Sequence, residues 1–248
     1  MKALKLVILA AVLIGLFMGC GKNPLLSALP EAASTSGSGT TTGGGGNVLI
    51  SESFDTLNTG PFVDGTNGWS VITGGTSSAT IDAAIYNSSQ RSLKINKVGL
   101  TMVSLKKGIS SPSSVIYLEY YIYTTTVSNW GFRIGLSVNG VSAVNIEIID
   151  GYFNLGYITH AETAYTSYAG VKTDVAASTN TWYKIKLKMD ISSKTWEIWI
   201  NDQSPVIGFT GPFNTDGSLT GFVDGFVVDD IFMSPDNTTY IDDIKVYR

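Results

Sequence analysis

Three polar side chains interrupt an apolar segment, VNIEIIDG, at residues 144–151. They are Asn145, Glu147 and Asp150. Closely spaced carboxyl groups are the catalytic groups of glycoside hydrolysis, in which one carboxylate attacks the sugar and a second carboxyl group transfers the proton. Alternating polar and apolar residues are equally typical of a strand with one buried and one wet face. The segment therefore indicates either a strand that faces a ligand or an ordinary half-buried strand.

The rest of the sequence offers no second catalytic set. His160 is the only histidine, in a segment that predicts a loop. Neither a Gly-x-Ser-x-Gly nucleophile motif nor a set of zinc ligands with the usual spacing is present. Any chemistry on a substrate would therefore have to come from the 144–151 segment.

Many short strands and no helix are predicted from Asn47 onward. The clearest is WYKIKLKMD (182–190), which alternates Tyr, Ile, Leu and Met with three lysines and is followed after a short turn by TWEIWIND (195–202). This alternation predicts a hairpin with one buried and one wet face. Asn139-Gly140 and Gly151 predict two more tight turns. Residues 159–181 predict a long loop with one short strand.

The other predicted strands share this short alternating character. They are 48–54, 92–96, 100–106, 114–124, 131–138, 142–150, 152–158, 221–232 and 240–247. We assign Trp69, Trp182 and Trp196 to the core. So many short antiparallel strands predict an all-β fold with two sheets packed as a jelly-roll sandwich.

The N-terminal 46 residues predict export and tethering. Residues 1–19 combine Lys2 and Lys5 with a short apolar run, which is typical of a signal peptide. The run ends at Cys20, the only cysteine, and resembles a bacterial lipobox, which implies a lipid on that residue. Residues 20–46 then form a Ser/Thr/Gly-rich tether with too little apolar surface to pack. We expect the folded part, 47–248, to be held on the outside of a bacterial envelope.

Composition limits the partners. Charged residues make up 15% of the chain, the net charge is −4, and no basic patch accompanies the aromatic residues. Nucleic acid is therefore not an expected partner. The lipid is the only predicted link to a membrane, and we expect a monomer.

Three segments carry a resemblance to a known superfamily. ISESFDTLNTGPFVDGTNGWSV near residue 50, TNTWYKIKLKMDISSKTWEIWIND near 190 and the ending TTYIDDIKVYR resemble concanavalin A-like lectin/glucanase domains, which include laminin G-like jelly rolls. The resemblance covers residues 47–248. It implies a jelly roll of two curved sheets whose concave face commonly binds glycans.

Family 16 glycoside hydrolases belong to this superfamily, and their catalytic strand reads Glu-x-Asp-x-(x)-Glu. In that alignment Asn145 falls at the nucleophile, Glu147 at the assisting carboxylate and Asp150 at the acid/base. An amide cannot form the covalent glycosyl ester of a retaining hydrolase. The resemblance therefore implies a face that binds glycans without cleaving them.

Glycan contacts are expected from aromatic rings, which stack on sugars, and from polar groups, which bond hydroxyls. The candidates are Trp130, Arg133, Asn145, Glu147, Asp150 and Trp199. Trp130 and Arg133 begin the strand before the Asn139-Gly140 turn, so we expect them near Asn145. A structural role is as common for any one of these residues.

Calcium is implied by the resemblance only, since many relatives bind one ion between the first and last strands. Asp242 matches the C-terminal ligand, and Glu52 is the candidate from the first strand. The alternative is that Asp242 and Asp243 are ordinary residues of an edge strand.

These observations favour a tethered, non-catalytic carbohydrate-binding protein whose partner is a polysaccharide or other glycan. A divergent polysaccharide hydrolase or lyase and a structural or adhesive surface module are the alternatives.

Overall fold

The computed structural model describes residues 47–88, 90–109, 113–127, 131–161, 166–201, 207–212, 221–231 and 236–248. The predicted signal peptide, Cys20 and the tether lie outside the described residues, as does Trp130. No helix within the described ranges is long and apolar enough to cross a membrane.

Sixteen strands and one short 3₁₀ turn (Thr66–Gly68) make up the fold, and no α-helix occurs in the described ranges. The first eight strands are β1 (Val48–Glu52), β2 (Gly60–Pro61), β3 (Trp69–Thr73), β4 (Ser78–Asp82), β5 (Ser92–Lys97), β6 (Met102–Gly108), β7 (Val115–Thr124) and β8 (Arg133–Val138). The second eight are β9 (Val141–Ile149), β10 (Tyr152–Ala161), β11 (Thr166–Ala176), β12 (Trp182–Asp190), β13 (Thr195–Ile200), β14 (Ile207–Pro212), β15 (Val223–Ile231) and β16 (Asn237–Tyr247).

The strands form two antiparallel sheets packed face to face, which confirms the predicted all-β jelly-roll sandwich. The nine-stranded sheet has the order β14-β13-β12-β7-β16-β5-β4-β2, with β1 paired to the far end of β16. The seven-stranded sheet has the order β11-β10-β9-β8-β15-β6-β3. Neighbours such as β7 and β16 are distant in sequence, so the sheets hold together by long-range pairing.

The predicted turns are confirmed. Asn139 and Gly140 have φ of 51° and 75°, and Asp150 and Gly151 have φ of 50° and 78°. Two successive positive φ values define the tight turns whose twist suits a hairpin. These turns fix the register of β9 against β8 on one side and β10 on the other.

The prediction of a long loop with one short strand at 159–181 is wrong, because an 11-residue strand occupies much of the segment. β10 extends to Ala161, and Thr166–Ala176 forms β11, which pairs antiparallel with it. The segment is rich in Thr and Ala, and the pairing of β10 with β11 shifts register between Tyr152 and Asn154 and again between Ile158 and His160. Those irregularities hide the period of two that a strand normally shows.

One core lies between the two sheets. Period-two alternation places Leu118 and Ile122 of β7, and Ile185 and Leu187 of β12, on the inner face at 0–4% exposure. Trp69 and Trp196 are buried as predicted, at 1% and 2%.

The assignment of Trp182 to the core is wrong. Trp182 is half-buried and shares the outer face with Lys184, because Tyr183 takes the inward position. Its ring packs on Tyr123 instead, at a centroid distance of 5.3 Å.

A buried ion pair ties the first strand to the opposite sheet. Glu52 Oε2 accepts hydrogen bonds from Lys107 Nζ at 2.8 Å, Trp69 Nε1 at 3.2 Å and Asn67 Nδ2 at 2.6 Å. The Glu52 side chain is 4% exposed and that of Lys107 17% exposed. Glu52 belongs to the nine-stranded sheet, whereas Lys107 and Trp69 belong to the seven-stranded sheet.

Replacing Glu52 with Ala should destabilise the fold by about 3 kcal/mol, because it leaves a largely buried lysine without its carboxylate. Urea denaturation measures this loss. Glu197→Ala is the matched control, since its pair with Lys188 lies on the surface, where ion pairs contribute little to stability. Equal losses for the two variants would contradict a bridging role for Glu52.

Candidate functional site

The outer face of the seven-stranded sheet carries the polar residues of the 144–151 segment. On β9, Val144 and Ile146 belong to the core, so Asn145 and Glu147 point to the other face. Both are nevertheless largely covered, at 1% and 7% exposure. Polar side chains that are buried without facing the core must be satisfied by neighbours on the same face.

Five polar residues stand in register across five adjacent strands of this face. They are Asp229 on β15, Arg133 on β8, Glu147 on β9, Asn154 on β10 and Lys172 on β11. We call this set the polar row. Adjacent strands are spaced ~4.8 Å apart, so the row presents a polar group at that interval across the sheet.

An ion pair lies at the centre of the polar row. Arg133 Nε donates to Glu147 Oε1 at 3.0 Å, and the two side chains are 27% and 9% exposed. Asp229, the register partner of Arg133 on its other side, is also buried, at 6% exposure. Arg133 is therefore flanked in register by Glu147 on one side and Asp229 on the other, and the buried Oδ1 of Asp229 accepts no hydrogen bond within the described part of the chain.

A row of glycines runs parallel to the polar row, one pleat away. It consists of Gly135, Gly156 and Gly170, with Asn145 between the first two, and all four residues are in register. A Cβ added at Gly156 would lie 2.4 Å from Asn145 Oδ1. The Asn145 amide thus occupies the space that a side chain at 156 would take. We call this set the glycine row.

Asn145 has an unmet hydrogen-bonding group. Its Nδ2 donates to Ser142 Oγ at 3.2 Å, but its buried Oδ1 accepts no hydrogen bond within the described part of the chain. Leaving such an acceptor unpaired costs about 1–3 kcal/mol. Because Oδ1 is buried, a ligand hydroxyl would recover that cost only by displacing the groups that cover this atom.

The remaining glycan candidates do not gather here. Asp150 lies in the turn after β9 with an exposed side chain, so it is not on the strand face beside Glu147. Trp199 faces outward from β13 in the other sheet, opposite to the buried Ile198 and Ile200. Of the described candidates, Arg133, Asn145 and Glu147 form one group.

Trp199 belongs to an outer face in which rings and charges satisfy one another. Lys186 Nζ lies 5.8 Å from the Trp199 ring centroid and 5.9 Å from that of Tyr117. Partial burial raises the pKa of Glu119, but hydrogen bonding by Tyr247 and the charges of Lys184 and Lys186 outweigh it and lower the pKa overall. This face is internally neutralised and holds no unsatisfied group comparable to Asn145 Oδ1 among the described residues.

The two predicted calcium ligands have different surroundings. Glu52 is held by Lys107, whose ammonium already supplies a positive charge to its carboxylate. Asp242 accepts backbone hydrogen bonds from Asn87 at 3.0 Å and Asp243 at 2.8 Å. Burial raises the pKa of Asp242 to about 6, and the charges of Asp243 and Asp55 act in the same direction.

Asp55, Asp242 and Asp243 form what we call the acidic cluster. Asp55 and Asp243 line a shallow depression with Tyr86, Ser88 and Gln90. Its carboxylate and hydroxyl oxygens are the donor type that calcium prefers. The described residues contain no group of three His, Cys, Asp or Glu side chains already placed to hold a metal ion, so backbone and hydroxyl oxygens would have to complete a shell.

Part of both sites is not visible in the sequence. Asp229, Asn154 and Lys172 join the polar row only through pairing between strands, which no local pattern reveals. Asp55 approaches Asp242 from the other end of the chain. The outward position of Asn154 could have been read from the alternation of YFNLGY, in which Phe153 and Leu155 are buried.

Comparison with known proteins supports the fold. No protein-family profile and no curated protein matches the sequence. Among solved structures, a sialidase matches with a TM-score of 0.61 and 8% identity over 80% of this chain, which spans only 18% of the sialidase chain. A carbohydrate esterase from the Shiga toxin-encoding bacteriophage phi24B matches with a TM-score of 0.57 and 17% identity, covering 82% of this chain and 99% of the esterase.

An endo-β-1,4-glucuronan lyase from the fungus Trichoderma reesei is also similar. The TM-score is 0.53 and the identity 10%, over 77% of this chain and 94% of the lyase. At these identities the likeness establishes the jelly-roll fold alone. It does not carry over an activity.

Gly156→Ala should destabilise the protein by about 1–3 kcal/mol, because the new methyl group displaces the buried Asn145 amide. Gly170→Ala is the control: its Cβ would meet nothing closer than the Leu155 carbonyl oxygen at 3.8 Å. Denaturant midpoints of the two variants measure the difference. Equal midpoints would show that Asn145 does not lie against Gly156.

Proposed function

We propose that this chain is a carbohydrate-binding protein that grips a glycan on the outer face of the seven-stranded sheet and does not cleave it. The polar row carries the proposal. Donors and acceptors that alternate across five strands suit a ligand whose hydroxyl groups both donate and accept. In the glycine row beside it, Gly170 leaves room for a sugar ring next to Lys172, whereas Asn145 fills the space at Gly156 and the β9 backbone fills that at Gly135.

Three side chains support the proposed lack of cleavage. Asn145 presents an amide where a retaining hydrolase needs an attacking carboxylate. Glu147 is engaged in an ion pair with Arg133, whereas a general acid must carry a proton to donate. Asp150 lies in the turn with its side chain in solvent.

Cys20 and the tether support a proposed location on the outside of a bacterial membrane. A lipid on Cys20 followed by a flexible segment of 26 residues, 21–46, would hold the jelly roll outside a bacterial membrane. Extended, such a segment reaches at most about 90 Å. A binding module in that position would hold polysaccharide near the cell.

We propose separately that calcium binds at the acidic cluster. Three carboxylates close to one another repel, and a divalent cation would offset that repulsion. To hold the ion, Asp242 and Asp243 on the last strand and Asp55 after the first would have to move closer together, with backbone and hydroxyl oxygens completing the shell. Glu52 would keep its pair with Lys107. The ion would supply rigidity between the two ends of the chain and take no part in binding sugar.

Asn145→Ala should weaken glycan binding at least tenfold, because it removes the acceptor that a sugar hydroxyl would use. The fold should stay intact, because the loss of one hydrogen bond to Ser142 is offset by the removal of a buried unsatisfied acceptor. Lys172→Met should weaken binding at the other end of the polar row. Calorimetry against β-glucans and other plant and algal polysaccharides gives the dissociation constants.

Lys188→Met is the matched control for these variants, since Lys188 lies on the outer face of the other sheet. If it weakens binding as much as Asn145→Ala does, the glycan lies on the wrong face for this proposal. If the wild-type protein binds none of the polysaccharides, an adhesive module with a protein partner is favoured.

Adding millimolar CaCl₂ to chelator-treated protein should raise its melting temperature, and MgCl₂ should do so less, because Mg²⁺ demands a smaller and more regular shell. Asp242→Asn should abolish the calcium-dependent increment, whereas Glu52→Gln should lower the starting temperature but keep the increment. An increment lost in Glu52→Gln and kept in Asp242→Asn would contradict the assignment to the acidic cluster. Scanning calorimetry measures all three.

A further inference from the structure

A fully buried lysine faces a buried asparagine on the inner side of the nine-stranded sheet. Lys97 ends β5 at 0% exposure, and Asn237 begins β16 at 6% exposure. The two are direct partners in the antiparallel register, so their side chains leave the sheet on the same face. Directly opposed residues have Cβ atoms about 5 Å apart, which is within the reach of a lysine side chain.

The surroundings exclude water. Ile95, two residues before Lys97, and Ile241 on β16 are both 0% exposed on the inner face. Lysine is almost never fully buried without a specific reason. Neither the glycan face nor the acidic cluster uses Lys97 or Asn237.

Hydroxyl groups surround the amide oxygen of Asn237. Thr239 Oγ1 donates to Asn237 Oδ1 at 3.2 Å and Thr126 Oγ1 at 3.4 Å. Thr124 Oγ1 lies within 3.5 Å of the same oxygen but has a closer acceptor in the Thr126 carbonyl, at 2.7 Å. Donors aimed at a carbonyl oxygen stabilise the negative charge that develops there when its carbon is attacked.

We propose that Lys97 and Asn237 join in an intramolecular isopeptide bond. The uncharged Nζ amine attacks Cγ of Asn237, and the oxyanion at Oδ1 is held by Thr126 and Thr239. The bond between Cγ and Nδ2 then breaks, and Nδ2 takes a proton from Nζ and leaves as ammonia. No oxidant or cofactor is needed, since one amide replaces another.

Such a bond would give this chain an intramolecular covalent cross-link, which a single cysteine cannot form. It would fasten β16, which lies between β5 and β7 in the sheet, to a strand 140 residues earlier (237 − 97). Cross-links that close long loops constrain the unfolded chain most. The benefit suits a protein that is displayed outside the cell.

Tryptic peptide mapping of the full chain by mass spectrometry, after complete denaturation, tests the proposal. In most molecules, cleavage after Lys97 should be blocked, and the peptide 95–106 should be found joined to the peptide 195–245. The joined mass should be the sum of the two linear masses less one ammonia. Fragmentation should place the link at Lys97 and Asn237.

Lys97→Met should abolish the joined species and lower the melting temperature. The matched control is Lys94→Met, on the outward side of the same strand, which should retain the link. Recovery of a linear 195–245 peptide from the wild-type protein, with cleavage after Lys97, would overturn the proposal whether or not the variants fold. So would a linear peptide in which Asn237 has only become aspartate.

Discussion

Side chains alternate between the two faces of every strand, and a two-sheet sandwich can bury only one face of each sheet in a common core. This constraint organises the molecule. On β9 it sends Val144 and Ile146 into the core and leaves Asn145 and Glu147 on the outer face of the seven-stranded sheet. Cross-strand pairing then gathers similar outward positions from β15, β8, β10 and β11 into one polar row. The proposed binding face is thus a product of register as much as of residue type.

Buried polar groups differ in how well they are hydrogen-bonded between the two sheets and on the outer face of the seven-stranded sheet. Where a charge crosses between the sheets, it is fully matched, as Glu52 is by Lys107, Trp69 and Asn67. On the outer face, Asn145 keeps an acceptor that the described part of the chain does not satisfy. A protein tolerates the cost of such a group where function uses it. The acidic cluster is also incompletely matched, because burial first and then the charges of Asp243 and Asp55 raise the pKa of Asp242.

The fold and its turns were predictable from the sequence because they depend on local patterns. The alternation in WYKIKLKMD predicted β12, and Asn139-Gly140 predicted the turn between β8 and β9. The sequence predicted only one short strand within 159–181, and the full length of β11 depends on its irregular pairing with β10, which no local pattern reveals. The site was predictable only in part: Arg133, Asn145 and Glu147 lie near one another in sequence, whereas Asp229 and Lys172 reach them through strands far along the chain. Trp199 was a reasonable candidate by type, but the sheet that carries it is set by topology and not by any pattern around residue 199.

The outer face of the seven-stranded sheet is proposed to bind a polysaccharide without cleaving its backbone. The most direct test is the molar mass of a bound polysaccharide, followed by size-exclusion chromatography with light scattering during prolonged incubation with equimolar protein. We expect the protein to co-elute with the polysaccharide and the molar mass of the polymer to stay constant. A molar mass that falls at a rate proportional to protein concentration would contradict it.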